Sequence, residues 1–298
     1  MYILEIENVS KVYGTFSALE NISFKIDAGD FVGLLGVNGA GKTTLISAIS
    51  GINHFSGTIK VAGYDVITQE KLAKLSLGVV PQEIAFDPFL NVYQTLKFQS
   101  GLYGVQKNKE WIYEIMERMY LSDKANVKTK ALSGGMKRRL MVAQALVHKP
   151  QVLILDEPTA GVDVEIRKNL WDFIKELNKK GHTILLTSHY LDEVEELCHK
   201  IIMIDKGKLV TQKTKADFIS ANEQLPTIVE IETQDGKFSD NLQSMIVNRI
   251  DNTYQLRLEN NDQLLFVLNC LNAIEAKILN LNLNKPNLED VFISYLKR

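Results

Sequence analysis

Apolar and polar residues alternate over positions 2–8 and again over 22–26 (ISFKI). A period of two with one apolar face marks a half-buried strand, and DAGD at 27–30 supplies the turn that closes the second one. The pattern then changes. FVGLL at 31–35 is apolar throughout and runs straight into glycines and a helical stretch from Lys42. VLILDEP from Val152 and TILLTSH from Thr183 repeat the unbroken apolar run. Such runs suit strands covered on both faces, as in a parallel sheet flanked by helices. Residues 88–150 are rich in helix formers with few strand signals, which predicts a helical insert.

Past Gly207 the texture shifts again. TIVEIET (227–233) and YQLRL (254–258) alternate as strands of a small, separate α+β unit. A final helix is expected to begin near Asn287, with Asn287 as N-cap and Asp290 at the capping-box position. The polar stretch 212–226 sets the expected boundary, dividing an α/β domain over 1–212 from a C-terminal domain over 213–298. There is no internal repeat and no low-complexity segment.

Composition narrows this picture only a little. At 298 residues, two domains is the ordinary expectation. A net charge of −2 gives no whole-chain basic field, so nucleic acid is not expected as a partner. Cys198 and Cys270 lie far apart and match no metal or disulfide spacing, which fits a reducing cytosol. Cys198-His199 could be half of a metal site, but a buried structural cysteine is the commoner case. MYILEIENVSK lacks the basic start and long apolar run of a signal peptide. No apolar run approaches the roughly 18 residues of a membrane span.

The candidate chemistry begins at 36–43, GVNGAGKT, a full match to G-x-x-x-x-G-K-[ST] placed directly after an apolar strand. Backbone N–H groups around Gly39–Lys42 can curl round phosphates at a helix N-terminus. Lys42 would reach the β- and γ-phosphates, and the Thr43 hydroxyl would ligate Mg²⁺. Asp156 and Glu157 stand at the carboxyl end of a strand, where open α/β sheets bind ligands. Alone, such a pair is more often a solvated strand end; after a phosphate loop at this distance the odds reverse. Adjacent acids there should face opposite sides, Asp156 serving the Mg²⁺ shell and Glu157 orienting or deprotonating the attacking water. His189 ends the next apolar run on the same edge and is favoured for γ-phosphate contact, although a lone histidine is usually structural. Gln82 after Pro81 is by itself ordinary loop. Tyr13 could stack on a base or simply be a half-buried strand residue. LSGGM at 132–136 is a second glycine-rich helix start, which looks redundant in a chain that already has a phosphate loop.

GVNGAGKT, Gln82, LSGGM, LILDEP, AGVD (160–163) and TSH (187–189) stand in the order found in ATP-binding subunits of ABC transporters, and the resemblance covers roughly residues 1–210. It implies a P-loop NTPase core with an antiparallel β subdomain and a helical subdomain at about 88–150. In that family two copies meet head to tail, so LSGGM would serve the other copy's nucleotide. Ser133, Gly134 and Gly135 would then cover the γ-phosphate of ATP held by the partner subunit's Lys42. The resemblance assigns adenine stacking to Tyr13. It gives the phosphates to Gly36, Val37, Asn38, Gly39, Ala40, Gly41, Lys42, Thr43 and Thr44. Thr43 and Gln82 would contact Mg²⁺, with Asp156 acting through water. Glu157 would be the catalytic carboxylate, His189 the γ-phosphate sensor, and Asp163 the link between the two sites. Met136 departs from the usual glutamine, which removes a polar contact. Lys137, Arg138 and Arg139 are expected to form a solvated or paired helix face rather than a nucleic-acid site.

GVVPQEIAFDPF, LSGGMKRRLM, LDEPTAGVD and PNLEDVFI resemble the ABC-2-type exporter branch, YadG-like members in particular. The resemblance implies two copies bound to a separate integral membrane permease, and hence a cytoplasmic protein held at the inner face of the membrane. Permease helices would dock beside the Gln82 loop, where Phe86, Phe89, Leu90 and Tyr93 are either groove residues or core of the helical insert. The C-terminal unit would serve dimerisation or regulation. An importer subunit, or a soluble ABC ATPase working on ribosomes or DNA, is the alternative.

Overall fold

The computed structural model describes residues 1–220, 226–234, 236, 238–259, 262–284 and 286–296. The chain divides into two units, Met1–Lys215 and Ala216–Arg298.

In the first unit β1 (Tyr2–Tyr13) and β2 (Phe16–Asp27) form a long hairpin. Its alternation sorts the side chains: Leu4, Ile6 and Val9 are fully buried, while Glu5 and Glu7 pair across the ladder with Lys25 at 3.2 and 3.0 Å. β3 (Phe31–Leu35) leads into α1 (Lys42–Ile49), and β4 (Ser56–Val61) and β5 (Tyr64–Asp65) return to the hairpin. The result is an antiparallel sheet ordered β2-β1-β4-β5. α2 (Glu70–Leu75) and β6 (Leu77–Val80) precede the helical insert of α3 (Val92–Leu102), α4 (Lys109–Arg118) and α5 (Gly134–Leu146). The chain then runs through β7 (Val152–Asp156), α6 (Val164–Lys179), β8 (Thr183–Thr187), α7 (Leu191–Leu197), β9 (Lys200–Asp205) and β10 (Lys208–Thr214).

The second sheet is ordered β10-β9-β3-β8-β7-β6, parallel throughout except for β10. β3, β7 and β8 are buried at every residue, which is why their sequences are unbroken apolar runs. Leu45 and Ile49 of α1 share one core with Leu4, Ile6, Ile22 and Ile59 of the antiparallel sheet. Each such side chain contributes about 1.5–3 kcal/mol by leaving water, so the helix that follows the glycine loop is pinned between two sheets.

Two expectations for the helical insert need correction. Arg138 and Arg139 of α5 are buried, at 4% and 6% exposure, not solvated. Each guanidinium ends on backbone carbonyls: Arg138 Nη1 donates to Pro81 O at 2.7 Å, and Arg139 Nη1 to Met119 O at 2.6 Å. Their charge is spent closing the loops around the insert. Phe89 is 75% exposed and so is not insert core, whereas Phe86, Leu90 and Tyr93 are half-buried.

The second unit continues α8 (Lys215–Ser220) into β11 (Thr227–Thr233), β12 (Ile246–Ile250), β13 (Thr253–Leu258), α9 (Asp262–Ala273), β14 (Ile278–Asn284) and α10 (Leu288–Leu296). Its antiparallel sheet is ordered β12-β13-β11-β14. Val229, Ile231, Leu256 and Leu258 from the sheet pack on Val267 and Leu271 of α9. Phe218 and Tyr295 stack with ring centroids 5.1 Å apart.

Candidate functional site

β3, β8 and β7 lie side by side and parallel, so their carboxyl ends meet at one edge. A cavity of about 430 Å³ opens there. Asn38, Gly39, Gly41, Lys42, Thr43 and Thr44 line it from the loop and helix after β3. Asp156, Glu157 and His189 line it from the ends of β7 and β8, and Gln82 from the loop after β6.

The loop is held from beneath. Gly41 caps α1 at φ 104°, and a Cβ there would lie 2.7 Å from Ala18 O, so only glycine fits. Ala40 is buried in the core, which leaves its backbone as the part it can offer a ligand. Lys42 Nζ donates to Gly36 O at 2.6 Å and Val37 O at 3.2 Å, folding its stem back over the loop. Gly36 and Val37 thus shape the site through their carbonyls. Burial lowers the Lys42 pKa from its ordinary value, while Asp156 and Glu157 pull it back up.

The two acids do not face opposite sides as expected: both line the one cavity. Glu157 departs from the strand at φ 53° while its N–H still donates to Thr187 O at 3.1 Å. That left-handed step carries its carboxylate back to the same side. Glu157 Oε1 accepts from Gln82 Nε2 at 3.2 Å and lies 2.7 Å from His189 Nε2. Asp156, 2% exposed, accepts from the Thr187 hydroxyl. His189 therefore touches the carboxylate that borders the cavity.

The remaining candidates lie elsewhere. Tyr13 does not line the cavity; its hydroxyl accepts from Asn53 Nδ2 at 3.0 Å. Phe16, its direct partner across the hairpin, does line the cavity. Sequence reading missed Phe16, although the short YGTF hairpin places position 16 opposite 13. Ser133, Gly134, Gly135 and Asp163 are also outside the cavity lining of their own chain. Ser133 caps α5, its hydroxyl accepting from Met136 N at 3.3 Å, and Asp163 is the exposed residue before α6. A Cβ on Gly135 would come 3.0 Å from Gly161 O, so the α5 start packs closely on the turn that precedes Asp163. Arg138 is a further missed residue: its bond to Pro81 O sits one residue before Gln82. Burial lowers its pKa, against the attraction of Glu157 and Asp156.

The sequence pattern of the ABC transporter family matches residues 19–160. The linearmycin resistance ATP-binding protein LnrL of Bacillus subtilis (strain 168) is 43% identical over 221 residues, 73% of this chain and 71% of that protein. The Nod factor export ATP-binding protein I of Rhizobium etli is 33% identical over 302 aligned residues, 98% of this chain and 93% of that protein. Among solved structures, an ATP-binding subunit of an ABC transporter superposes with a TM-score of 0.70 at 26% identity, covering 74% of this chain and 92% of that one. Identity of 33% to the Rhizobium etli protein along nearly the whole of both chains, joined to a phosphate loop facing two carboxylates, admits one assignment: this chain belongs to the ABC transporter family, as an ATP-binding and ATP-hydrolysing subunit.

Proposed function

We propose that the chain powers export through a separate membrane permease of the ABC-2 type, and that its cavity forms a complete hydrolytic site only when two copies close on ATP. The observation that carries the hydrolytic part is the contact set on Glu157. One carboxylate oxygen meets Gln82 and His189 at 3.2 and 2.7 Å, in the cavity that Lys42 also lines.

In this reading the loop N–H groups from Gly36 to Thr44 and the Lys42 ammonium hold the phosphates. Phe16 and Tyr13, paired at the hairpin end, offer aromatic surface to the base. Glu157 takes a proton from water as its oxygen bonds the γ-phosphorus and the bond to the bridging oxygen breaks, leaving ADP and phosphate. His189 orients Glu157 and senses the γ-phosphate. Mg²⁺ requires hard oxygen donors, and the Thr43 hydroxyl, the Gln82 amide and the Asp156 carboxylate in one cavity fit it. These three would hold the ion, which when bound neutralises charge on the β- and γ-phosphate oxygens. Ser133, Gly134 and Gly135 would present the positive end of α5 to the nucleotide of a second copy, and Asp163 would link the two sites.

The names of the relatives, one for Nod factor export and one for linearmycin resistance, support export as the direction. Among the described residues no helix is long and apolar enough to cross a membrane. Attachment at the cytoplasmic face would therefore come from the permease. The exposed Phe89 beside the Gln82 loop suits such a contact.

Glu157→Gln tests the hydrolytic part. It should cut turnover at least about a hundredfold, the usual scale for losing a general base, with ATP still bound. Hydrolysis near the wild-type rate would sink the assignment of the base. Purification of the chain from its own membranes in mild detergent tests the export part. A polytopic membrane protein should come with it in equal amount; ribosomal or DNA-bound partners in its place would overturn that part and leave the ATPase standing.

A further inference from the structure

Behind the cavity, Glu193 of α7 is fully buried, and its carboxylate gathers three donors from three parts of the chain. Oε1 accepts from Trp171 Nε1 of α6 at 2.8 Å. The Thr159 hydroxyl lies 3.2 Å from both oxygens, and the Ser188 hydroxyl donates to Oε2 at 2.5 Å. Thr159 is two residues past Glu157, and Ser188 directly precedes His189. Ser188 Oγ also accepts from Tyr190 N at 3.0 Å, so the chain is fastened on both sides of His189. Tyr190 in turn lies under the Arg167 guanidinium, 4.3 Å from the ring centroid.

A buried carboxylate is costly even when well bonded, and an apolar residue of similar volume would avoid that cost. Burial indeed raises the Glu193 pKa, while Ser188, Trp171, Thr159 and the charge of Arg167 draw it down. What the carboxylate supplies, and leucine would not, is directed bonding to two separate loops. We propose that Glu193 is a positioning residue for hydrolysis, tying the loop that follows Glu157 to the loop that carries His189 and so holding their 2.7 Å contact. This rests on the roles given above to Glu157 and His189.

Steady-state ATPase assays on the full chain, with rates per folded molecule and ATP affinity measured separately, test it. Glu193→Leu should lower kcat about 10- to 100-fold, the scale of an ångström-sized misplacement, with KM and Kd for ATP within about twofold of wild type. Glu193→Gln should recover most of the rate, because its amide can accept from Trp171 and donate to both hydroxyls. Should Glu193→Leu fail to fold, Ser188→Ala and Thr159→Val each delete one donor and should each lower kcat about three- to tenfold at unchanged ATP affinity. Wild-type kcat in folded Glu193→Leu, or in both donor variants, overturns the proposal. Equal loss in the glutamine and leucine variants does so too. Glu157→Gln separates the two readings. If that variant still hydrolyses ATP, the role of Glu157 fails; if it is dead while Glu193→Leu is fully active, only the positioning role fails.

Discussion

At His148, behind the helical insert, Tyr103 stacks flat on the imidazole with centroids 3.7 Å apart and planes within 3°. Nε2 lies 3.0 Å from Leu77 O and so carries the hydrogen, while Nδ1 is buried with no hydrogen-bond partner among the described residues. A second proton would have to sit on Nδ1 without an acceptor. Burial accordingly lowers the His148 pKa from its ordinary value, against the Leu77 carbonyl, which raises it. A histidine that is harder to protonate when folded stabilises the fold fully above its unfolded pKa of about 6.5 and loses that contribution as pH falls from there toward the lower folded value. Urea unfolding of wild type and His148→Gln should therefore differ most near pH 7.5 and draw together as pH falls below about 6.5. A difference that stays constant as pH falls would rule His148 out as the source. At this same scale the site is only half readable from residue types. The Asp156–Glu157 pair declares itself by its place at a strand end. That both acids serve one cavity depends on the positive φ of Glu157, held by a hydrogen bond to β8 that no local pattern encodes. Glu193 is invisible for a related reason: its three donors come together only once α6, α7 and the loop after β7 have packed.

Elements are legible where their surroundings leave a mark on the local sequence. β3, β7 and β8 are covered on both faces, so all but their terminal residues are apolar or glycine and the run stands out. β6 has four residues and β9 six, flanking β7 and β3 in the same sheet, yet neither stands out. A short apolar run does not separate strand from helix by period alone, and β9 lies against a polar hairpin partner in β10. The α10 start is the opposite case, since its signal lies within four residues. Asn287 Oδ1 accepts from Asp290 N at 2.9 Å, and Asp290 Oδ2 accepts from Asn287 N at 3.0 Å, closing the capping box anticipated from the sequence. Glu289 and Asp290 add negative charge to the positive end of the helix. Asn287→Ala should cost about 1 kcal/mol locally, a roughly fivefold faster opening of α10 in native-state hydrogen exchange on the full chain. Unchanged exchange in α10 would mean that packing of Leu288 and Val291, both fully buried, holds the helix without the cap.

For the whole molecule the informative residue is Gly134. Gly135 has a reason within its own chain, because a Cβ would crowd Gly161 O. Gly134 has none: a Cβ there would meet nothing within 4 Å, and the residue is exposed at the first turn of α5. Glycine in place of alanine weakens a helix by about 1 kcal/mol, so the open space is most simply explained by something outside the chain that must come close. The positive end of α5 faces that space, and a nucleotide held by a second copy is an anion of the right kind. This makes a prediction that separates action within one chain from action across two. In a Glu157→Gln background ATP should hold the chain as a dimer, read by light scattering after size-exclusion chromatography. Adding Gly134→Glu puts bulk and negative charge where the second nucleotide would sit. It leaves the cavity lining of its own chain untouched, and an acidic residue at a helix N-terminus does not oppose the helix. The double variant should therefore bind ATP with the affinity of the Glu157→Gln chain and elute as a monomer. A dimer that survives Gly134→Glu would remove α5 from the interface. Loss of ATP binding by the isolated chain would instead place the glycines in their own chain's site, where the geometry of the cavity gives them no part.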